Sequence, residues 1–262
     1  MYAALKAMDN RQTAWIAFFG IVLAAWATLF LMQPDLDLPD GWQMVGADYL
    51  ASLCRPASDY GIGGLIAMWS LMALAMMAPT IAPALKTYLD LTHTNGATLT
   101  GFSGLIIGYL VVWVVFSVPA ALLQSALDTQ GLLDPFGRSS EAILTAGLLA
   151  LAGIYQFSNL KNACLNQCQS PLVFFLSNWK DGPLGAVRMG LHLGLICLGC
   201  CWALMLLAFV AGTMNLAFMG LAMVLMTFEK LPQIGRYLTL PVGLVLLAGA
   251  AAILLFEMIK TL

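Results

Sequence analysis

The stretch AVRMGLHLGLICLGCCWALMLLAF, residues 186–209, decides the fold. It is long enough to cross a bilayer, because a helix needs about 20 apolar residues to span about 30 Å of hydrocarbon. Across the 262 residues, 61% are hydrophobic and 9% are charged, which is more apolar sequence than a soluble domain buries. The sequence therefore predicts an integral membrane protein.

Seven apolar runs of this kind predict an all-α, polytopic bundle of about seven transmembrane helices in a single membrane domain, residues 1–262. None of the runs alternates with a period of two, as the strands of a membrane β-barrel would. Two runs are short, and we expect the helix of the fourth to continue through Ser158 to Ala163. The predicted spans are 14–32, 63–85, 101–127, 142–157, 186–209, 214–227 and 240–258.

The distribution of basic residues predicts the orientation, because cytosolic loops are enriched in Lys and Arg. An N-terminus inside and a C-terminus outside place eight basic residues on the cytosolic side and three on the other. The long loop of residues 34–62, rich in Asp, then lies outside. The cytosolic set is Lys6, Arg11, Lys86, Lys161, Lys180, Arg188, Lys230 and Arg236, and the outer set is Arg55, Arg138 and Lys260.

Several function classes find no support in the sequence. No basic stripe interleaved with aromatic residues is present, which argues against a nucleic-acid partner. There is no Ser/His/Asp set and no pair of carboxylates in one span, so hydrolysis is poorly supported. With only His93 and His192 available, haem is a poor fit. The residues favour a binding role over catalysis and leave an enzymatic role open.

Five of the six cysteines fall between residues 164 and 201. A single cysteine in a span usually packs as a small hydrophobe, but a cluster is unusual. Cys197 and Cys200 are three apart, and Cys197, Cys201 and Met205 are four apart in turn, so all four share one helical face. Cys197 lies ~16 Å along the helix from Ala186, near the middle of a bilayer core. We expect this strip of sulfur to hold a soft cation.

Cys164 and Cys168 form a second group in KNACLNQCQSP, residues 161–171, where they are four apart on the cytosolic side. Pro171 is expected to end their helix. An intracellular location argues against a structural disulfide and favours metal binding or redox chemistry.

Methionines extend the potential sulfur site. Met72 and Met76 share a helical face with Trp69 in the second span, although methionine also fills gaps between helices. Thiolates and thioethers together select Cu(I) over harder ions, so copper is the expected metal and zinc the alternative. Pro79 and Pro83 interrupt this span, and broken backbone at membrane depth lines cavities or lies buried in protein. We therefore expect the second span to face the thiols.

Two ionisable residues are auxiliary candidates. His192 is a potential ligand or proton carrier, or else a histidine bonded to a neighbouring carbonyl. Glu229 is functional if it lies within the membrane, and an interfacial anchor if it lies at the surface. Gly190 and Gly194 form a small-xxx-small pair that allows a neighbouring helix to approach closely.

Three stretches of the sequence resemble a known family. They are AGIYQFSNLKNACLNQCQSP (152–171), residues 185–230, which contain CLGCCWALM and end in EK, and MWSLMALAMMAP (68–79). They resemble the bacterial family of predicted metal-binding integral membrane proteins, domain of unknown function 2182. The resemblance covers about two thirds of the chain. It implies a metal site at the five clustered cysteines and a multi-pass protein of the bacterial inner (plasma) membrane. Asn159 replaces a common proline, and Gln169 replaces a common arginine, which weakens the case for a reactive thiolate at Cys168.

Together these features predict a protein that binds Cu(I) and delivers it to a membrane enzyme of the oxidase or monooxygenase type. Cys164 and Cys168 would form a cytosolic docking pair, with a soluble metallochaperone as a further partner besides the lipid bilayer. One alternative is a membrane dithiol/disulfide oxidoreductase, because Cys197 and Cys200 form a CxxC pair. Another is an accessory or assembly subunit of a larger membrane complex, in which the sulfur residues pack.

Overall fold

The computed structural model describes residues 2–32, 61–91, 98–213 and 215–261, and these ranges are helical without a β-strand. The all-α prediction is thereby confirmed for the described chain. Most of the first loop with Cys54, the segment with His93, and Met214 lie outside the described residues. The helices are α1 (Tyr2–Leu31), α2 (Gly61–Met77), α3 (Ala82–Asp90), α4 (Leu99–Thr129), α5 (Ala142–Gln156), α6 (Asn159–Gln169), α7 (Pro171–Asn178), α8 (Gly182–Met205), α9 (Ala208–Ala211), α10 (Leu216–Glu229) and α11 (Gly235–Thr261).

Five stretches in the described chain are long and apolar enough to cross a membrane: Arg11–Leu31, Gly61–Asp90, Thr100–Thr129, Gly182–Ala211 and Tyr237–Lys260. Helices α5 and α6 add a sixth if the bent pair forms one span. Helix α10 has 14 residues, which at ~1.5 Å per residue falls short of a bilayer core of ~30 Å. The described residues thus provide five or six candidate spans, and seven remains a prediction.

The expected continuous helix through Ser158 to Ala163 is wrong, because α5 ends at Gln156 and α6 starts at an angle of 62° to it. Ser158 has an extended backbone, and its hydroxyl accepts a hydrogen bond from the Lys161 amide at 3.1 Å. A side-chain N-cap of this kind starts a new helix. Pro171 begins α7 directly after α6, as its restricted backbone predicts. The bend turns the helix that carries Cys164 and Cys168 toward α8.

The second span is broken where its prolines predict. Helix α2 ends at Met77, a 3₁₀ turn covers Pro79–Ile81, and α3 follows. The Met77 carbonyl, at the end of α2, accepts hydrogen bonds from the Thr80 hydroxyl at 2.8 Å and from the Tyr109 hydroxyl at 3.2 Å. Side chains thus satisfy the interrupted backbone, as a buried helix break requires. This turn lies beside α8, because the Tyr109 hydroxyl contacts both the Met77 carbonyl and the Cys197 sulfur.

Helix α8 packs against α4 through glycine. A Cβ at Gly190 would collide with the Leu105 carbonyl oxygen, and a Cβ at Gly194 would lie 3.0 Å from the Tyr109 carbonyl oxygen. Only glycine allows the two backbones to approach this closely. The predicted small-residue pair therefore packs against α4, and this contact sets Tyr109 beside the cysteines of α8.

Candidate metal centre

Three thiols form a cluster on one turn of α8. The sulfurs of Cys197, Cys200 and Cys201 all lie within 4.8 Å of one another, and each residue is only 1% exposed. This separation is about twice a metal–sulfur bond, which is ~2.3 Å for zinc. The Cys200 and Cys201 sulfurs are 3.2 Å apart, and the Cys200 thiol donates to the Cys197 carbonyl at 3.1 Å. A metal ion between these sulfurs requires small side-chain movements only.

A lysine reaches this cluster from the end of α10. The Lys230 ammonium lies 2.8 Å from the Cys197 sulfur and donates to the Thr80 hydroxyl at 2.6 Å. The Tyr109 hydroxyl lies 2.9 Å from the same sulfur and 3.0 Å from the Thr80 hydroxyl. The ammonium stabilises the thiolate form of Cys197, which is the form of cysteine that binds metals.

The space beside Cys197 is small. A cavity of about 20 Å³ is lined by Cys197, Lys230, Tyr109, Thr80 and Cys168, with apolar side chains completing its wall. This volume is enough for about one water molecule. The site therefore has room for a single ion.

The second cysteine pair reaches the same place. A Cβ at Gly199 would lie 2.6 Å from the Cys164 sulfur, so this sulfur packs on the backbone of α8. Cys168 lines the cavity beside Cys197. Cys164 and Cys168 are half-buried, whereas the three cysteines of α8 are buried. Two half-buried thiols thus lie next to the buried cluster of three.

The comparison with known families bears on this sulfur set. A sequence model of the PpoB2 family, described as copper chaperones, matches residues 66–253. The chain belongs to the PpoB2 family of copper chaperones. The matched region contains all five clustered thiols and Lys230. Searches of curated proteins and of solved structures found no match.

Membership of this copper chaperone family supports the resemblance noted from the sequence in its broader form, a copper-related family. The narrower name, domain of unknown function 2182, stays a prediction. Membership of the family and the cluster of three cysteines support copper as the bound metal.

Glu229 is buried and paired. Its carboxylate lies 2.9 Å from the Lys161 ammonium, and both side chains are 1% exposed. The Gln156 amide donates to the other carboxylate oxygen at 3.2 Å, and the Gln169 amide donates to the Glu229 backbone carbonyl at 2.8 Å. Glu229 therefore joins α5, α6 and α10. Gln169, at the position of a common arginine, has a structural hydrogen bond instead.

The other predicted ligands differ in placement. Met72, Met76 and Met205 are at most 4% exposed and belong to the same buried core as the thiols. His192 is exposed on the outer side of α8, and its ring lies 5.4 Å from that of Phe174. Metal binding by these four residues, and by Glu229, stays a prediction.

Sequence reasoning missed the polar residues around Cys197. Lys161 and Lys230 served as positive charges for the orientation, Lys230 also as part of the final EK of the resemblance, and Thr80 and Tyr109 received no role. The single available signal was Glu-Lys at the end of an apolar run, where two adjacent charges next to a span are unusual. The partners of Glu229 and Lys230 lie on other helices, so they depend on how separate helices pack.

Proposed function

We propose that this protein is a multi-pass membrane copper chaperone that binds Cu(I) through the thiolates of Cys197, Cys200 and Cys201. The observation that carries the proposal is the buried set of three sulfurs within 4.8 Å. Sulfur ligands favour Cu(I) and disfavour hard ions such as Mg²⁺ and Ca²⁺. Zn²⁺ remains the alternative metal, because it also binds thiolates.

Cys164 and Cys168 are proposed as the docking pair that receives copper. They are half-buried; the Cys164 sulfur lies against α8 at Gly199, and Cys168 lines the cavity beside Cys197. Copper would pass from this pair to the buried cluster by exchanging one sulfur ligand for the next. The donor would be a soluble metallochaperone on the cytosolic side, and the acceptor a membrane enzyme of the oxidase or monooxygenase type.

A location in the bacterial inner membrane is part of the proposal. Helix α11 supports the membrane part of this proposal, because Val245 and Ile259 are 70% and 69% exposed, although such residues are normally buried in a soluble domain. Lipid contact accounts for this surface. The proposed orientation has the N-terminus inside and the C-terminus outside, so a C-terminal alkaline phosphatase fusion is expected to be active and a C-terminal green fluorescent protein fusion dark.

Metal analysis tests the proposed function. Wild-type protein and the triple variant Cys197→Ala, Cys200→Ala, Cys201→Ala are purified in detergent, loaded with Cu(I) under reducing conditions, desalted and analysed by mass spectrometry. Stoichiometric copper in the wild type, lost in the triple variant, is the expected result. Zinc in the wild type after competition with Cu(I) would reverse the metal assignment. Copper retained by the triple variant would refute the ligand set.

A further inference from the structure

Lys230 is a buried cation with an unusual set of partners. The residue is 5% exposed, and its ammonium contacts the Cys197 sulfur and the Thr80 hydroxyl. Among the described residues, no carboxylate lies within ion-pair distance of it. Lys161, which is equally buried, has the Glu229 carboxylate at 2.9 Å. The ammonium of Lys230 therefore depends on sulfur for a negative partner.

Physical chemistry requires such a partner. An ionised group without a compensating charge is strongly disfavoured in a dry interior, so buried charges occur in pairs or beside metals. Thr80 is neutral and acts as an acceptor for Lys230, because its own proton is donated to the Met77 carbonyl. This arrangement leaves Cys197 as the group nearest to Lys230 that is able to carry negative charge.

The copper-loaded site carries charge of the opposite sign. When Cu(I) bonds to the three cysteine sulfurs, any proton still on those sulfurs leaves to solvent, and no electron is transferred. One positive ion and three thiolates leave two negative charges on the complex. The nearby ammonium lowers the net charge to a single negative one, which is favourable where water is scarce.

We propose that Lys230 is the built-in counter-ion of the copper–thiolate site, a positioning residue that sets the affinity of the site for Cu(I). The inference rests on the proposed function. Thr80 in the broken turn and Tyr109 on α4 hold the ammonium and the Cys197 sulfur at fixed positions. The breaks and close packing of these helices thereby contribute to copper binding without supplying a ligand.

The test compares Cu(I) dissociation constants, measured by competition with a chromogenic Cu(I) chelator in detergent. Lys230→Met removes the charge and keeps most of the apolar stem. We expect the Kd to rise by roughly 30-fold or more, because the copper–thiolate charge is left buried without its partner. Lys230→Arg keeps the charge and is expected to stay within about tenfold of the wild type. Lys180→Met, an exposed lysine with the same change in net charge, is the matched control and is expected to bind as the wild type does.

A second comparison separates a counter-ion from a packing role. In a Cys197→Ser background, Lys230→Met is expected to raise the Kd by a clearly smaller factor than in the wild type, because the sulfur that contacts the ammonium is gone. Equal losses in both backgrounds would overturn the inference. If Lys230→Met does not fold, Lys230→Gln carries the test, since it is neutral, similar in length and able to bond Thr80.

The outcomes distinguish this inference from the proposed function. If Lys230→Met or Lys230→Gln binds Cu(I) like the wild type while the triple cysteine variant binds none, the counter-ion role is wrong and the thiol site stands. A loss in Lys230→Arg as large as in Lys230→Met would also overturn it, because charge would not be the cause. If the triple cysteine variant keeps its Cu(I), the proposed function itself fails.

Discussion

Lys161 and Lys230 are two buried lysines that serve different purposes in one molecule. Lys161 on α6 pairs with Glu229, and Lys230, the residue that follows Glu229, turns to the Cys197 sulfur. The charge of Lys161 is balanced by the Glu229 carboxylate, and this ion pair joins two helices. Lys230 has no carboxylate partner in the described chain, and its ammonium faces the thiols. Residue type and burial are thus the same, and the partner decides whether a charge is structural or functional.

The largest expected effect comes from breaking the structural pair. Glu229→Leu leaves the Lys161 ammonium buried without a partner, and we expect the free energy of unfolding to fall by about 3–5 kcal/mol. Denaturant titration in detergent measures this change. The double variant Lys161→Met, Glu229→Leu is the control, and it is expected to recover most of the loss. A single variant as stable as the wild type would contradict the assigned pair.

Glycine at the contact between α6 and α8 is the next target. A methyl at Gly199 would overlap the Cys164 sulfur, so Gly199→Ala is expected to lower stability by about 1–3 kcal/mol and to separate the two cysteine groups. Gly147→Ala is the matched control, because nothing lies within 4 Å of a Cβ built at that helical position. Alkylation of Cys164 and Cys168 is expected to become faster only in Gly199→Ala. Equal rates in both variants would show that the contact is not maintained.

Removing the second lysine sharpens the comparison. Lys230→Met exchanges a buried cation for an apolar side chain of similar length, so the stability of the metal-free protein is expected to change by less than about 1.5 kcal/mol. Thermal unfolding without metal measures the change, and Glu229→Leu provides the reference. A loss as large as that of Glu229→Leu would make Lys230 a structural residue like Lys161.

The smallest effect is expected from removing the Tyr109 hydroxyl. Tyr109→Phe removes one hydroxyl that contacts Cys197, Thr80 and the Met77 carbonyl. Because Thr80 still donates to that carbonyl, we expect a loss of about 1 kcal/mol in unfolding free energy and a weaker effect on Cu(I) affinity than that of Lys230→Met. Chelator competition compares the two variants. A greater loss of Cu(I) affinity in Tyr109→Phe would move the electrostatic role from the ammonium to the phenol.

The sequence predicted the features that depend on spacing along one helix. Cys197, Cys200 and Cys201 are three and four residues apart, and their sulfurs meet because helical geometry alone brings them together. The break at Pro79 was predictable for a similar reason, since proline disrupts its own helix.

Features that depend on packing between helices were not predictable from the sequence. Lys161 and Lys230 were assigned to the cytosolic surface, yet both are buried. Without them the count of basic residues is six inside against three outside, and the orientation stays a prediction. The bend between α5 and α6 was missed because Ser158, which caps α6, reads as an ordinary polar residue within a helical run.

The central claim is that the buried thiols of α8 hold copper as Cu(I). X-ray absorption spectroscopy at the copper edge tests it most directly, on wild-type protein loaded with Cu(I) and freed of excess metal. We expect the edge of Cu(I) and a first shell of sulfur only, both lost in the triple cysteine variant. A first shell of nitrogen or oxygen, or the same spectrum in the triple variant, would contradict it.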